Sequence, residues 1–204
     1  MTSWLHEERL QAVIAEVRDS GASRVLDLGC GDGDMFVRLA GEQGISELVG
    51  VDICRASLER LRERLAKADR VVPHIDVREG SMTDPSPAMT GFDCAMLIET
   101  IEHIDPDQLS KLERAVFYKM RPQTVVITTP NAEFNPLLGV PKHRMRHPDH
   151  RFEWDRAKFR QWSTRIAGAA GYGVRMQDIA GLHPDLGGAS QMAVFTRSDP
   201  VGSD

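Results

Sequence analysis

The stretch Asp27-Leu28-Gly29-Cys30-Gly31-Asp32-Gly33 constrains this chain more than any other. It follows a short apolar run, Arg24–Leu28, and precedes residues Asp34–Ala40, which read as a helix. Glycines at alternate positions in a strand-to-helix turn let the backbone approach a bound group closely, and the helix start adds amide donors. Such a turn implies a parallel sheet, because a helix must carry the chain back before the next strand begins. Asp52 closes the next apolar run, Leu48–Val51, 19 residues after Gly33. An acid there accepts hydrogen bonds from both ribose hydroxyls of an adenosine ligand, a geometry that nicotinamide cofactors also fit.

The rest of the chain keeps the rhythm. Residues 5–18 space Leu5, Leu10, Val13, Ile14 and Val17 as a leading helix within residues 1–20, with Gly21 as its stop. Leu58, Leu61 and Leu65 mark a helix over Ala56–Ala66. His74–Glu79, Cys94–Ile98 and Thr124–Thr129 read as further strands, and Asp107–Phe117 as a helix entered through Asp105-Pro106. A helix over Asp155–Ala169 and closing strands at Gly173–Ile179 and Gln191–Thr196 complete the pattern. The expectation is one α/β domain over residues 1–204. It is a doubly wound, Rossmann-like, mostly parallel seven-stranded sheet with helices on both faces. Ser198–Asp204 reads as a frayed tail.

Composition narrows the function classes. No apolar run is long enough for a membrane span, and the first residues lack the apolar core of a secretory leader. Three scattered cysteines, Cys30, Cys54 and Cys94, fit a reducing compartment, so a cytoplasmic location is expected. The net charge of -5 argues against a general nucleic-acid binder, and no DNA partner is expected. Lys142–Arg165 nevertheless carries eight lysines and arginines against three acids. A basic segment on an acidic body suits either a local polyanionic ligand or a solvated face. Much of it lies in a long loop, residues 132–154, between the fifth strand and the next helix.

After the fourth strand comes Glu99-Thr100-Ile101-Glu102-His103. If this stretch turns helically, positions i, i+3 and i+4 converge, and two carboxylates with an imidazole form a divalent-cation site. One of the acids serves equally well as a helix cap.

Asp27-Leu28-Gly29-Cys30-Gly31 and Val49-Gly50-Val51-Asp52 resemble motifs I and II of class I methyltransferases, in which the first acid lies near the methionine end of the cofactor. Ser81-Met82-Thr83-Asp84 sits where that class contacts adenine. Three further stretches are Glu99-x-x-Glu102-His103, Thr128-Thr129-Pro130-Asn131-x-Glu133-Phe134-Asn135 and Arg146-His-x-Asp-His150-x-Phe-Glu-Trp154. Together they look like the small-RNA 3′-terminal ribose 2′-O-methyltransferases, over about Leu5 to Phe195. The resemblance implies S-adenosylmethionine as methyl donor, held by Asp27, Gly29, Gly31, Gly33, Asp52 and Ser81. It implies a divalent metal on Glu99, Glu102, His103 and His150, which carry the catalysis, and the 3′ end of an RNA as acceptor. The family uses Mg²⁺, whereas two Glu and two His suit Mn²⁺, Co²⁺ or Fe²⁺ better. His143 and His147 fall outside the ligand positions and read as loop or RNA-facing residues. Phe152 and Trp154 read as anchors of the next helix, and Phe159 and Trp162 as its buried face.

The bacterial repair members carry an N-terminal half that docks a kinase-phosphatase partner. This chain starts almost at the catalytic domain, so that docking module is expected to be absent. Asp155 stands where the family often has threonine, and either caps a helix. Two alternatives remain at this level: a small-molecule O-methyltransferase, and a non-catalytic domain that binds the cofactor and RNA.

Overall fold

The computed structural model describes residues 4–198. The strands are β1 (Arg24–Leu28), β2 (Glu47–Asp52), β3 (His74–Glu79), β4 (Cys94–Ile98), β5 (Thr124–Pro130), β6 (Tyr172–Ile179) and β7 (Ser190–Arg197). They form one sheet in the order β3-β2-β1-β4-β5-β7-β6. β1 to β5 pair in parallel, and β7 runs antiparallel to both β5 and β6. The expected sheet is therefore present. The direction of winding reverses between β1 and β4, which opens a crevice at their carboxyl ends.

The central strands are apolar on both faces because helices cover both. Val25, Leu48, Cys94, Met96 and Val126 point to one side, against α1 (Trp4–Asp19), α2 (Asp34–Leu39) and α3 (Arg55–Lys67). Leu26, Leu28, Val49, Ala95, Leu97 and Ile127 point to the other, against α4 (Leu109–Arg114) and α5 (Arg156–Ala170). This alternation is the period-two pattern of a strand buried from both directions. α5 docks through Phe159 and Trp162, and Trp154 packs beside Trp162 with ring centroids 5.4 Å apart. Phe152 stacks on Trp154 at 4.4 Å. The anchoring role expected for these aromatics is what the packing displays, and Asp155 caps α5 by accepting from the Lys158 amide at 2.7 Å.

Several boundaries differ from expectation, most by one residue. The fourth helix begins at Leu109, after a 3₁₀ turn at Pro106–Gln108, and widens into a π-helical turn over Ala115–Met120. Arg121 ends it with φ 48°. The long loop is not structureless, since Ala132–Leu138 forms 3₁₀ turns and Asn131 bridges to Trp154. The leading helix starts at Trp4, and residues 1–3 and the tail positions 199–204 lie outside the described residues. Among the described residues no helix is long and apolar enough to cross a membrane.

Candidate active site

The residues singled out from the sequence sit at the carboxyl ends of β1 to β5. A cavity of about 190 Å³ opens against the glycine loop, lined by Asp27, Gly29, Cys30 and Gly33 together with His6 and Arg9 of α1 and Glu99 after β4. Asp27 is buried, and its Oδ2 has no hydrogen-bond partner. Burial, with a further push from Asp52, raises its carboxyl to about 7. A buried acid with an unmet oxygen beside a cavity suits a cationic or donor-bearing ligand. Asp52 is fixed by the amides of Gly31 and Cys54, which donate to its two oxygens at 2.9 and 2.7 Å.

The three glycines serve different needs. A methyl group at Gly29 would come within 2.5 Å of Thr100 Cγ2, and one at Gly33 within 2.2 Å of Leu61 Cδ1. Both also have positive φ, so packing and backbone conformation each disfavour a side chain there. At Gly31 (φ 52°) an added methyl meets no atom within 4 Å, so this glycine faces open space. Ser81 follows β3 and pairs with Thr83 at 2.9 Å. The adjoining Met82 lies over the loop, its Cε 3.3 Å from where a Gly29 methyl would stand.

The second cluster lies beside this cavity. Ligand atoms of Glu102, His103 and His150 all fall within 4.8 Å of one another. Glu102 is fully buried, and its Oε1 has no partner, whereas Oε2 accepts from Thr129 Oγ1 at 3.0 Å. Burial, reinforced by Glu99, raises the Glu102 carboxyl well above the usual carboxylate range. His103 is held below the usual imidazole range by burial and by the neighbouring His150 and His147 rings, while its ring bonds the Asp149 backbone. His150 Nδ1 faces Glu153 Oε1 at 2.6 Å. Each of the three thus has one polar atom tied to an outer partner and one left toward the cluster. That is how protein ligands to a divalent cation are oriented. An orphaned carboxylate oxygen flanked by two imidazoles fits a cation of the Mn²⁺, Co²⁺ or Zn²⁺ type.

Glu99 does not join this trio. The stretch 99–103 is not helical throughout: only Ile101–His103 makes a 3₁₀ turn, and Glu99 takes φ 49°. The i, i+3, i+4 convergence expected for the segment is therefore incomplete. The Glu99 carboxylate instead accepts from Arg9 Nη1 at 3.2 Å and Ser190 Oγ at 3.3 Å, while its other oxygen is buried without a partner. It stands between the cavity and the cluster and lines the former.

The basic loop brings His150 to the cluster through contacts the sequence did not disclose. The Arg151 amide donates to the Glu102 carbonyl at 2.7 Å. Glu153 accepts from Asn135 Nδ2 at 2.6 Å and from the Arg146 amide at 2.7 Å. Burial works against its charge, but these bonds and His150 hold its carboxyl below the usual range. The Arg146 guanidinium is turned inward, donating to Asn135 Oδ1, the Ala189 carbonyl and the Asn131 carbonyl. Thr129, Asn135, Arg146 and Glu153 stood in the quoted motifs without an assigned role, and Arg9 stood outside them; these are the residues that hold the cluster in place. The signal available was that Arg146 and Glu153 lie inside the quoted loop pattern. His147 is exposed, with its ring 6.0 Å from His103 and 5.6 Å from His150, and His143 is exposed at the loop tip.

The strand order and the glycine turn with its two acids define a class I methyltransferase. Residues 25–123 match the family described as methyltransferase domain. The methyltransferase domain of bacterial CtHen1 is 36% identical, with a TM-score of 0.85 over 96% of this chain and 100% of that one. The small RNA 2′-O-methyltransferase of Gallus gallus is 38% identical over 96% of this chain and 54% of its own length. That of Xenopus tropicalis is also 38% identical, over 95% and 55%. The chain belongs to the methyltransferase family of the bacterial CtHen1 domain, and it spans about half the length of the curated relatives it matches.

Proposed function

We propose that this chain transfers a methyl group from S-adenosylmethionine to the 2′-hydroxyl of the 3′-terminal ribose of an RNA, with a divalent cation held by Glu102, His103 and His150 beside Glu99. The observation that carries this reading is the position of Glu99, which lines the glycine-loop cavity and stands beside the imidazole–carboxylate cluster. Donor and acceptor sites therefore share a wall.

Glu102, His103 and His150 would hold a divalent cation there, and such an ion would supply Lewis-acid activation of the ribose hydroxyl. The chain's own residues do the placing. Asp52 receives the ribose hydroxyls of the cofactor, and Asp27 faces its positively charged end. Gly31 leaves room for the cofactor backbone. Glu153 and Thr129 fix the outward atoms of His150 and Glu102, so the inward atoms meet the acceptor without reorganising. The cofactor brings its own leaving group, so alignment supplies much of the rate.

The test is transfer of labelled methyl to a short RNA bearing either a free or a periodate-oxidised 3′ end, with and without chelator. Label is expected only on the free end and only without chelator. Equal labelling of oxidised ends, or labelling in excess chelator, overturns the reading.

A further inference from the structure

We propose that the cleft between the tip of the basic loop and α5 is a subsite for the nucleotide on the 5′ side of the methylated one, gripping its phosphate and accepting any base. The proposal rests on the RNA acceptor argued above.

The eight cations of residues 142–165 are not equivalent. Arg146 is spent inside the loop on backbone and Asn135 acceptors. Arg151 pairs with Asp105, Arg156 with Glu133 and Arg165 with Glu113. Among the described residues, Lys142, Arg144, Lys158 and Arg160 have no acidic partner within salt-bridge distance. Three of these four, Lys142, Arg144 and Lys158, line one cleft of about 590 Å³, and Arg160 does not. Unpaired like charges gathered on one concave wall repel one another, and a polyanion relieves that cost.

The floor of the cleft is apolar. Pro136, Val140, Pro141 and Met145 line it, with Phe152 and Trp154 behind. Met145 is 42% exposed and offers an apolar surface within the cleft. Lys158 Nζ lies 5.8 Å over the Trp154 ring, which holds the ammonium at the rim. The polar groups within reach are already committed. Glu153 is bonded to Asn135, the Arg146 amide and His150, and Asn135 Oδ1 to Arg146. The uncommitted charged donors of the cleft are its three cations, which suit a phosphate, so the backbone is held by charge and the base by apolar contact.

Glu153 also fixes the cleft relative to the chemistry. It lines the cleft and bonds His150 on the other side, so the cleft is one side chain away from the cluster. The proposed subsite puts the phosphate that precedes the terminal ribose at this cationic rim.

The experiment measures binding and turnover separately on the full chain, using a 5′-fluorescein-labelled 12-nucleotide RNA. Lys142→Glu/Arg144→Glu is expected to weaken the anisotropy Kd at least tenfold and to lower the slope of log Kd against log salt by about 2. Arg160→Glu, an unpaired cation outside the cleft, is expected to stay within twofold, and Lys142→Arg/Arg144→Lys to restore binding. Thermal melts verify that these surface variants fold. The base next to the 3′ end is expected to change KM by less than threefold. Equal losses for Arg160→Glu and the double reversal, or no loss in the double reversal, overturn the subsite while leaving methylation intact. A wild type that binds RNA through these cations yet methylates no free 3′ end overturns the proposed reaction instead.

Discussion

His150 Nδ1 and Glu153 Oε1 meet at 2.6 Å, three residues apart on a loop, with both side chains buried. A carboxylate partner on Nδ1 favours the proton there and leaves the other ring nitrogen of His150 for the cluster with Glu102 and His103. His150→Ala is expected to abolish methyl transfer while leaving cofactor affinity within threefold, read by calorimetry with S-adenosylhomocysteine. A parallel loss of cofactor affinity would place His150 elsewhere in the machinery.

Glu153 acts one step further out. Glu153→Gln keeps the shape but removes the charge behind the imidazole. Such outer partners are worth about 10–100-fold in metal affinity. The expected phenotype is a higher Mn²⁺ concentration for half-maximal activity, with much of the rate recovered at saturating metal. A rate loss that no metal concentration repairs would mean the contact serves only folding.

Mn²⁺ is expected to support activity at lower free concentration than Mg²⁺, because two imidazoles face the cluster and Mg²⁺ prefers oxygen. A titration showing the reverse order would count against the assignment of His103 and His150 as ligands.

Asp27 gives a pH signature. Its folded-state value of about 7 lies above the ordinary 3.8, so the folded chain keeps a proton that the unfolded chain releases over this interval. The stability this provides is complete below pH 3.8 and is lost as pH rises through 7. The ligand-free Tm should fall between pH 5 and 8, and Asp27→Asn should flatten that fall while costing cofactor affinity. An unchanged profile in the variant would remove Asp27 as its source.

The glycine loop separates packing from binding. Gly33→Ala drives a methyl into Leu61 at φ 87° and should lower Tm by more than about 5 °C. Gly31→Ala meets no protein atom, and its left-handed backbone costs roughly 1–2 kcal/mol. It should therefore fold, yet bind S-adenosylhomocysteine at least tenfold more weakly. Unchanged affinity would mean the cofactor passes elsewhere.

Much of this architecture was legible in the residues. Apolar runs gave β1 and β4 their observed limits, because burial on both sheet faces leaves long apolar stretches such as Cys94–Ile98. The glycine turn pointed to the crevice because only glycine satisfies its left-handed positions. What spacing could not carry was Glu99. The pattern Glu99-x-x-Glu102-His103 is the same in a helix and in a left-handed corner, and the choice is made by the chain leaving β4 and by Arg9, 90 residues away. The loop was opaque for a similar reason. Arg146 reads as a solvent-facing cation and is instead an internal donor to two carbonyls, since Asn131 and Ala189 reach it only after β5 and β7 have paired.

Arg146 and Asn135 anchor the loop on either side of its exposed tip, residues 137–145. A chain cut within that tip would keep Asn131 and Ala132 paired to Trp154 from one fragment to the other, and His150 over Glu102. The protein can thus be viewed as two complementary fragments joined by a removable tether. Severing the tether would uncouple the grip on RNA, which uses Lys142 and Arg144, from a reaction centre that remains assembled.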